Sequence, residues 1–276
     1  MANDGRQLES GVLKWLSANG YPLEMRIARS LAQRGFGVTQ SHYYKDFESG
    51  APREIDVVGR LYSFIEPEEY VAIAELETFV VAECKSCANP WVVFCETQSH
   101  AWNIQQAACN NSAEKLLIRA RKQLQKTELL ARASKSGHGV AQALGGNSDV
   151  PYAALLSALK AAEAHAVAGR ETEVRLANDP EMANVSESVA AIPVVVITSP
   201  LFECRLGENG EPELTAVNHS SVAFRYPSGE NRLRVGTTVH IVTESGWAEF
   251  EDAVKGFHEA AVSMLNTLIP RAKNGD

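Results

Sequence analysis

No apolar run in this sequence comes near the ~20 residues a helix needs to cross a bilayer, so no helical membrane span is expected. The opening Met1-Ala2-Asn3-Asp4-Gly5-Arg6 lacks a basic start followed by an apolar core, so no signal peptide is expected. Cysteine is sparse, with five residues at irregular spacing. An odd, scattered set in a long chain argues against a disulfide framework and for a reducing compartment, and the cytoplasm is the expected location. Nucleotide-binding signatures are missing too. Gly145-Gly146 is not followed by Lys-Ser or Lys-Thr, so no bound NTP is expected. There is no Gly-x-Ser-x-Gly elbow, no internal repeat, and no close pair among the seven histidines at ligand spacing. Cys84-Lys85-Ser86-Cys87 is a lone Cys-x-x-Cys, and with Cys95 and His100 it falls short of the two pairs that zinc ribbons bring together. Positive charge is in deficit as well, 26 Lys and Arg against 34 Asp and Glu, for a net charge of −8. That balance argues against a general DNA coat, which is usually basic. An enzyme with a local basic groove beside an acidic metal site remains compatible with it.

What is present reads as an ordinary globular chain. It has 276 residues, 45% hydrophobic and 22% charged, enough for one sizeable core. Leu8, Val12, Trp15 and Leu16 recur at helical spacing over 7–19, and Asn19-Gly20 ends that helix. A second helix runs from Leu23 to Arg34, with Pro22 at its start, Glu24 in its first turn and Gly35 closing it. Strands follow over 36–44, 53–61 and 71–84, and a short one over 91–95. Residues 101–133 are helical in composition with a break near Asn110-Asn111; 134–149 read as a flexible connection. Asp149 and Pro151 start a helix reaching about Val167, and 170–190 give no firm assignment. Residues 192–198 form a buried strand, further strands cover 201–206, 221–226 and 237–243, and an amphipathic helix runs from Trp247 to Leu268. The strands read as one sheet in a single α/β domain.

One stretch stands out. Phe79-Val80-Val81-Ala82 is a buried-strand run that ends in Glu83-Cys84-Lys85. Side chains alternate along a strand, so Glu83 and Lys85 share a face and Cys84 takes the other. Two charges at the end of a buried strand need compensation from each other, a metal or a bound anion. Asp56 lies inside another β-branched run, Ile55-Asp56-Val57-Val58. If these strands are neighbours, Asp56, Glu83 and the Cys84 carbonyl make an all-oxygen set that suits Mg2+ (or Mn2+). Lys85 would then orient water or hold charge on a phosphate. Glu24 is a further candidate ligand, although a first-turn acid is also favoured by the helix dipole alone. A plain Glu83–Lys85 ion pair, with Asp56 as a turn acid, is the competing reading.

The order of a helix with Glu24, a strand, a strand with Asp56 and a strand with Glu83-Cys84-Lys85 resembles the PD-(D/E)XK nuclease superfamily. The likeness covers roughly 20–86, plus a following helix and the strand at 194–198. Ile55, not Pro, precedes Asp56, which departs from the family's pattern. The resemblance implies a restriction-endonuclease-like core, a mixed β-sheet flanked by helices. Around it the chain adds a helical insertion and extra C-terminal strands and a helix. On that reading residues 1–276 form a single nuclease domain: a core at about 20–100 and 190–206, a helical elaboration at about 101–190, and C-terminal strands and helix over 207–270. The implied activity is Mg2+-dependent phosphodiester hydrolysis, with Asp56, Glu83, Lys85 and Glu24 catalytic and with Asp56, Glu83, Glu24 and the Cys84 carbonyl on the metal.

DNA is the expected partner, and a homodimer or a partner subunit is left open. Lys115, Arg119, Lys122 and Lys126 fall on one face of a continuous helix, and from Lys115 to Lys135 there are seven basic residues and one acid. That stripe is a candidate contact for a phosphate backbone, or else a solvated helix face. Lys45 and Arg53, which flank the turn before Asp56, are further candidates. Gln105 and Gln106 follow the active-site strand, and some branches of the family carry a glutamine there. A non-cleaving module of the same fold, or a nuclease subunit of a larger DNA-processing or defence complex, are the alternatives.

Overall fold

The computed structural model describes residues 2–65, 73–95, 107–133, 135–145, 149–182, 184–224 and 237–268. The chain opens with α1 (Ala2–Ala18) and α2 (Tyr21–Gln33), then the strands β1 (Gly37–Lys45), β2 (Pro52–Ile65), β3 (Ile73–Lys85) and β4 (Trp91–Phe94). Next come β5 (Ala108–Cys109), the short helices α3 (Asn111–Arg119), α4 (Arg121–Leu124) and α5 (Glu128–Ala133), β6 (Gly139–Gln142) and the long helix α6 (Val150–Asn178). The last third holds β7 (Val185–Ile197), β8 (Leu201–Leu206), β9 (Pro212–Val217), β10 (His219–Phe224), β11 (Thr237–Thr243) and α7 (Trp247–Leu268).

This is an α/β fold with a mixed sheet between helices. The main sheet has the order β1-β2-β3-β7-β11-β10, and β5 also pairs with β7. β1, β2 and β3 form an antiparallel meander. β3 and β7 then run parallel from Ile73↔Val185 to Lys85↔Ile197, and β11 continues parallel to β7 up to Thr243↔Ile197. Lys85, Ile197 and Thr243 therefore stand in line at one rim of the sheet. The three parallel strands are rich in Val, Ile and Ala and buried on both faces, as a covered parallel sheet requires.

On one face, Leu23, Ile27 and Leu31 of α2 and Phe250, Val254 and Phe257 of α7 pack on Val57, Val80, Ala82, Val194 and Val196. On the other, α6 lays Ala161, Ala162 and Ala166 against Val58, Phe79, Val81 and Ala191. Further along α6, Leu155 and Leu159 meet Val195, Ile197 and Ile241. Small residues bring α6 close to the sheet: a Cβ at Gly169 would stand 2.8 Å from Val189 Cγ2.

The β1–β2 ribbon turns over near its middle. Residues two apart on a strand should share a face, yet Ile55 packs on the α6 side and Val57 on the α2 side. β1 does the same, with Val38 against the α2-side core and Tyr44 against the α6-side core. The switch falls at Ser41, which has φ 48° and lies between the pairs Gln40↔Val57 and His42↔Ile55, opposite Asp56.

Several expectations change. The helical stretch expected over 101–133 breaks at Asn110-Asn111 as expected, but it is a two-residue strand followed by three short helices; residues 101–106 lie outside the described residues. Asn110 caps α3 by accepting from the Ala113 N–H, which sets the break. The connection at 134–149 contains β6, and α6 extends to Asn178. β8 is not in the main sheet: after Ser199-Pro200 the chain leaves the rim and β8 pairs parallel with β4, in a second sheet of order β6-β4-β8-β9.

Candidate active site

The β2–β3 ladder ends at Val57↔Ala82. One step further, Asp56 and Glu83 are opposite each other in register. Here the Cys84 N–H donates to Asp56 Oδ2 at 2.7 Å, so a carboxylate serves the amide where the ladder has ended. Lys85 Nζ donates to Glu83 Oε1 at 2.5 Å. Glu24 comes from the first turn of α2, whose start at Gly20 (φ 84°) packs beside Ser86, just past β3. The fold thus brings Glu24, Asp56, Glu83 and Lys85 to one rim. The Cys84 side chain points into the α2-side core, as alternation requires.

The charges there are unbalanced. Burial and then the Glu83 charge push the Asp56 carboxyl from its ordinary 3.8 up to about 7, while the Cys84 N–H pulls it down and Glu24 adds to the rise. Burial, Glu54 and Glu83 raise Glu24. Burial opposes the charge on Lys85, but Glu83 and Asp56 outweigh it and its pKa is raised. Burial followed by the Asp56 charge raises Cys84 well above its usual range, so it stays a thiol. The Lys85 ammonium interacts with Glu24, Asp56 and Glu83, three carboxyls to one cation, and Glu54 adds its charge beside Glu24.

α6 supplies two contacts the sequence reading missed. Ser157 Oγ donates to Glu83 Oε2 at 2.8 Å, so both oxygens of Glu83 are held. Tyr44 lies against Ser157, and burial, then Asp46 and more weakly Glu83, raise its phenol. Ser157, Lys160 and Glu163 recur every three residues inside an Ala- and Leu-rich helix, a spacing that gains meaning only with the burial of Lys160 and Glu163. Lys160 Nζ donates to Asp46 Oδ2 at 3.0 Å beneath the β1–β2 turn, and it also pairs with Glu48.

Other sequence candidates lie elsewhere. Lys115 and Arg119 sit on α3, Lys122 on α4 and Lys126 in the turn after it, so the four do not share one helix face. The break follows Ala120, which caps α3 and precedes α4. All four are exposed. Arg53 Nε donates to the buried Asp46 Oδ2 at 3.0 Å, and Lys45 is exposed at the hairpin end. Gln105 and Gln106 lie outside the described residues.

Among the described residues no three His, Cys, Asp or Glu side chains converge as a ready ligand set. The set expected here is two carboxylates and a main-chain carbonyl, with water completing the shell, as Mg2+ prefers. The half-buried Asp56 and the buried Glu83, which repel each other, fit a divalent cation by charge and donor type. Among the described residues no helix is long and apolar enough to cross a membrane. Comparison with protein-family models, with curated proteins and with solved structures gives no match to this chain.

Proposed function

We propose that this chain is a Mg2+-dependent (or Mn2+-dependent) nuclease of the PD-(D/E)XK type, acting on DNA, with a restriction-endonuclease-like core. The observation that carries this reading is the convergence of Glu24, Asp56, Glu83 and Lys85 at the rim where β3 ends, with Asp56 raised to about 7 by burial and Glu83. The element order supports it: helix, antiparallel meander, crossover helix and a strand parallel to β3. Five free thiols suit a cytoplasmic setting.

Asp56, Glu83 and the Cys84 carbonyl would hold the ion, with Glu24 beside them. The bound ion supplies a Lewis acid that acidifies water and offsets charge on phosphorus. Ser157 and Lys85 fix the two Glu83 oxygens, which keeps the carboxylate in place. Lys85 keeps its proton and offers a cation to the phosphate. Water adds to phosphorus, the bond from phosphorus to one ester oxygen breaks, and that oxygen leaves as a hydroxyl.

The test is cleavage of supercoiled plasmid with Mg2+ or Mn2+ by the intact chain and by Lys85→Ala. Cleavage lost in the variant supports the reading. Failure of the intact chain to cut any DNA or RNA, together with no metal binding, sinks it. The Lys85–Glu83 pair also suits a non-cleaving module of the same fold, and that outcome would favour it. Exposed Leu8, Val12, Leu13 and Trp15 on α1 suit a nuclease subunit of a larger complex, or a homodimer.

A further inference from the structure

A groove of about 730 Å3 opens between the β1–β2 hairpin and α6, within the ~300–1,000 Å3 range of ligand sites. Its walls include His42, Tyr44, Lys45, Phe47, His165 and Glu171. The inner wall is a column of rings: His165 stacks on Phe79 at 4.4 Å and on His42 at 5.3 Å, both near parallel. His165 Nε2 is buried and has no hydrogen-bond partner in the structure. Such a group is costly to leave unserved.

The groove and the acidic rim share a boundary. Tyr44 lines the groove and lies against Ser157, which donates to Glu83. The distortion opposite Asp56 is what turns His42 and Tyr44 toward α6. Charge decides what the groove takes. Asp46, Glu48 and Glu171 line it, with Lys160 and Arg53 paired to the first two, so the groove has no surplus of positive charge to hold a phosphate, and exposed Lys45 stands at its side. The ring walls offered by His42 and Phe47 favour a neutral aromatic heterocycle, as in single-strand binding by stacking.

We propose that this groove receives an unpaired nucleobase of the strand that enters the Asp56–Glu83 rim, stacked against His42, the outer ring of the His42–His165–Phe79 column. This rests on the nuclease reading for the strand's presence and adds a substrate class: nucleic acid with a single-stranded or extruded base next to the cut. The phosphates on either side of that base would pass Lys45.

The test uses the intact chain in EDTA, so nothing is cut, with short single-stranded DNA and RNA oligonucleotides. Each carries 2-aminopurine, or an abasic unit, at successive positions. Stacking quenches the probe at one position, and an abasic unit there weakens binding about tenfold, the scale of one base stacked on an aromatic side chain (~1–3 kcal/mol). His42→Ala removes both effects, with Phe47→Ala as a second variant should His42→Ala fail to fold. Equal affinity for abasic and intact strands at every position, or quenching that survives both substitutions, overturns the base site. No binding of any oligonucleotide overturns it as well. Quenching without cleavage on adding Mg2+ keeps the base site and removes the nuclease chemistry, whereas cleavage without quenching does the reverse.

Discussion

Replacing Asp56 by Asn should stabilise the metal-free protein while removing a ligand of the proposed metal site. Asn has nearly the same shape, and its side-chain oxygen can still accept from the Cys84 N–H, so the hydrogen bond at 2.7 Å is kept and only the charge is removed. In the folded protein burial and Glu83 lift the Asp56 carboxyl from 3.8 to about 7. At ~1.4 kcal/mol per pH unit that difference is at most ~4 kcal/mol, and partial solvent access reduces it, leaving ~2 kcal/mol. The sign follows from linkage. The folded pKa lies above the unfolded value, so below about pH 4 both states are protonated and the charge costs nothing. As pH rises from about 4 to about 7 the unfolded state ionises first and the wild-type chain loses stability; above about 7 the loss is complete. The advantage of Asp56→Asn should therefore grow between pH 4 and 7 and then level off. At ~2–4 °C per kcal/mol for a chain of this size, Tm in EDTA at pH 8 should rise by ~4–8 °C. Adding Mn2+ should raise Tm of the wild-type chain and leave that of the variant unmoved. A variant less stable than wild type in EDTA at pH 8, or one with the same advantage at pH 4.5 and pH 8, would refute the crowding of Asp56 and Glu83.

Four further outcomes are expected. Lys85→Ala should cut plasmid cleavage by ~10²–10³-fold yet retain the Mn2+-dependent rise in Tm, whereas Ser157→Ala should weaken Mn2+ binding by ~10–100-fold through the loosened Glu83 carboxylate; calorimetry with Mn2+ separates them. Burial holds His165, His219 and His240 neutral, down to about 4, 2 and 3 respectively, all below the unfolded value of ~6.5. Their stability is complete above pH ~6.5 and is lost as pH falls toward the folded values, so urea unfolding of Asp56→Asn should show a loss of ~4 kcal/mol from pH 7.5 to 5.5, and an unchanged midpoint would contradict the buried neutral rings. Gly169→Ala gains helix propensity of ~1 kcal/mol but drives a methyl to 2.8 Å from Val189 Cγ2, so a net loss of ~1–2 kcal/mol is expected in the same assay.

Much of this was legible because it depends on period and punctuation. The stripe Leu23, Ile27, Leu31 marks α2, and Gly35 with φ 88° marks its end. The run Phe79–Ala82 marks β3, and alternation from it places Glu83 and Lys85 on one face. β9 was not legible because its exposed Pro212-Glu213-Leu214-Thr215-Ala216-Val217 has no buried face to impose an alternating pattern. β5 has two residues, too few for any period. The break at Asn110 was legible, but the basic stripe failed because nothing in the composition marks the second break at Ala120, which ends α3 and begins α4. Ser157 went unread because a single serine in an alanine-rich helix carries no signal until its neighbours Lys160 and Glu163 are known to be buried.

The least legible feature is also the one on which both proposed sites depend. Ser41 holds a left-handed φ of 48°, at a cost of ~1–2 kcal/mol for a residue with a Cβ. With unbroken alternation, Ile55 would share Val57's face, and His42 and Tyr44 would share Val38's face, away from α6. The groove would then lose its ring wall and Glu83 its Tyr44–Ser157 support. With the distortion, the β2–β3 ladder stops at Val57 and the Asp56 carboxylate takes up the Cys84 N–H. Strain of this kind persists where surrounding structure holds it, and it collects at functional positions. Here the holding structure is the buried Asp46, bound by Lys160, Arg53 and the N–H groups of Glu48 and Ser49, which pins the far end of the hairpin to α6. The hairpin lock, the strained Ser41 and the acidic rim are therefore one mechanical unit, in which α6 sets the geometry that β2 and β3 present.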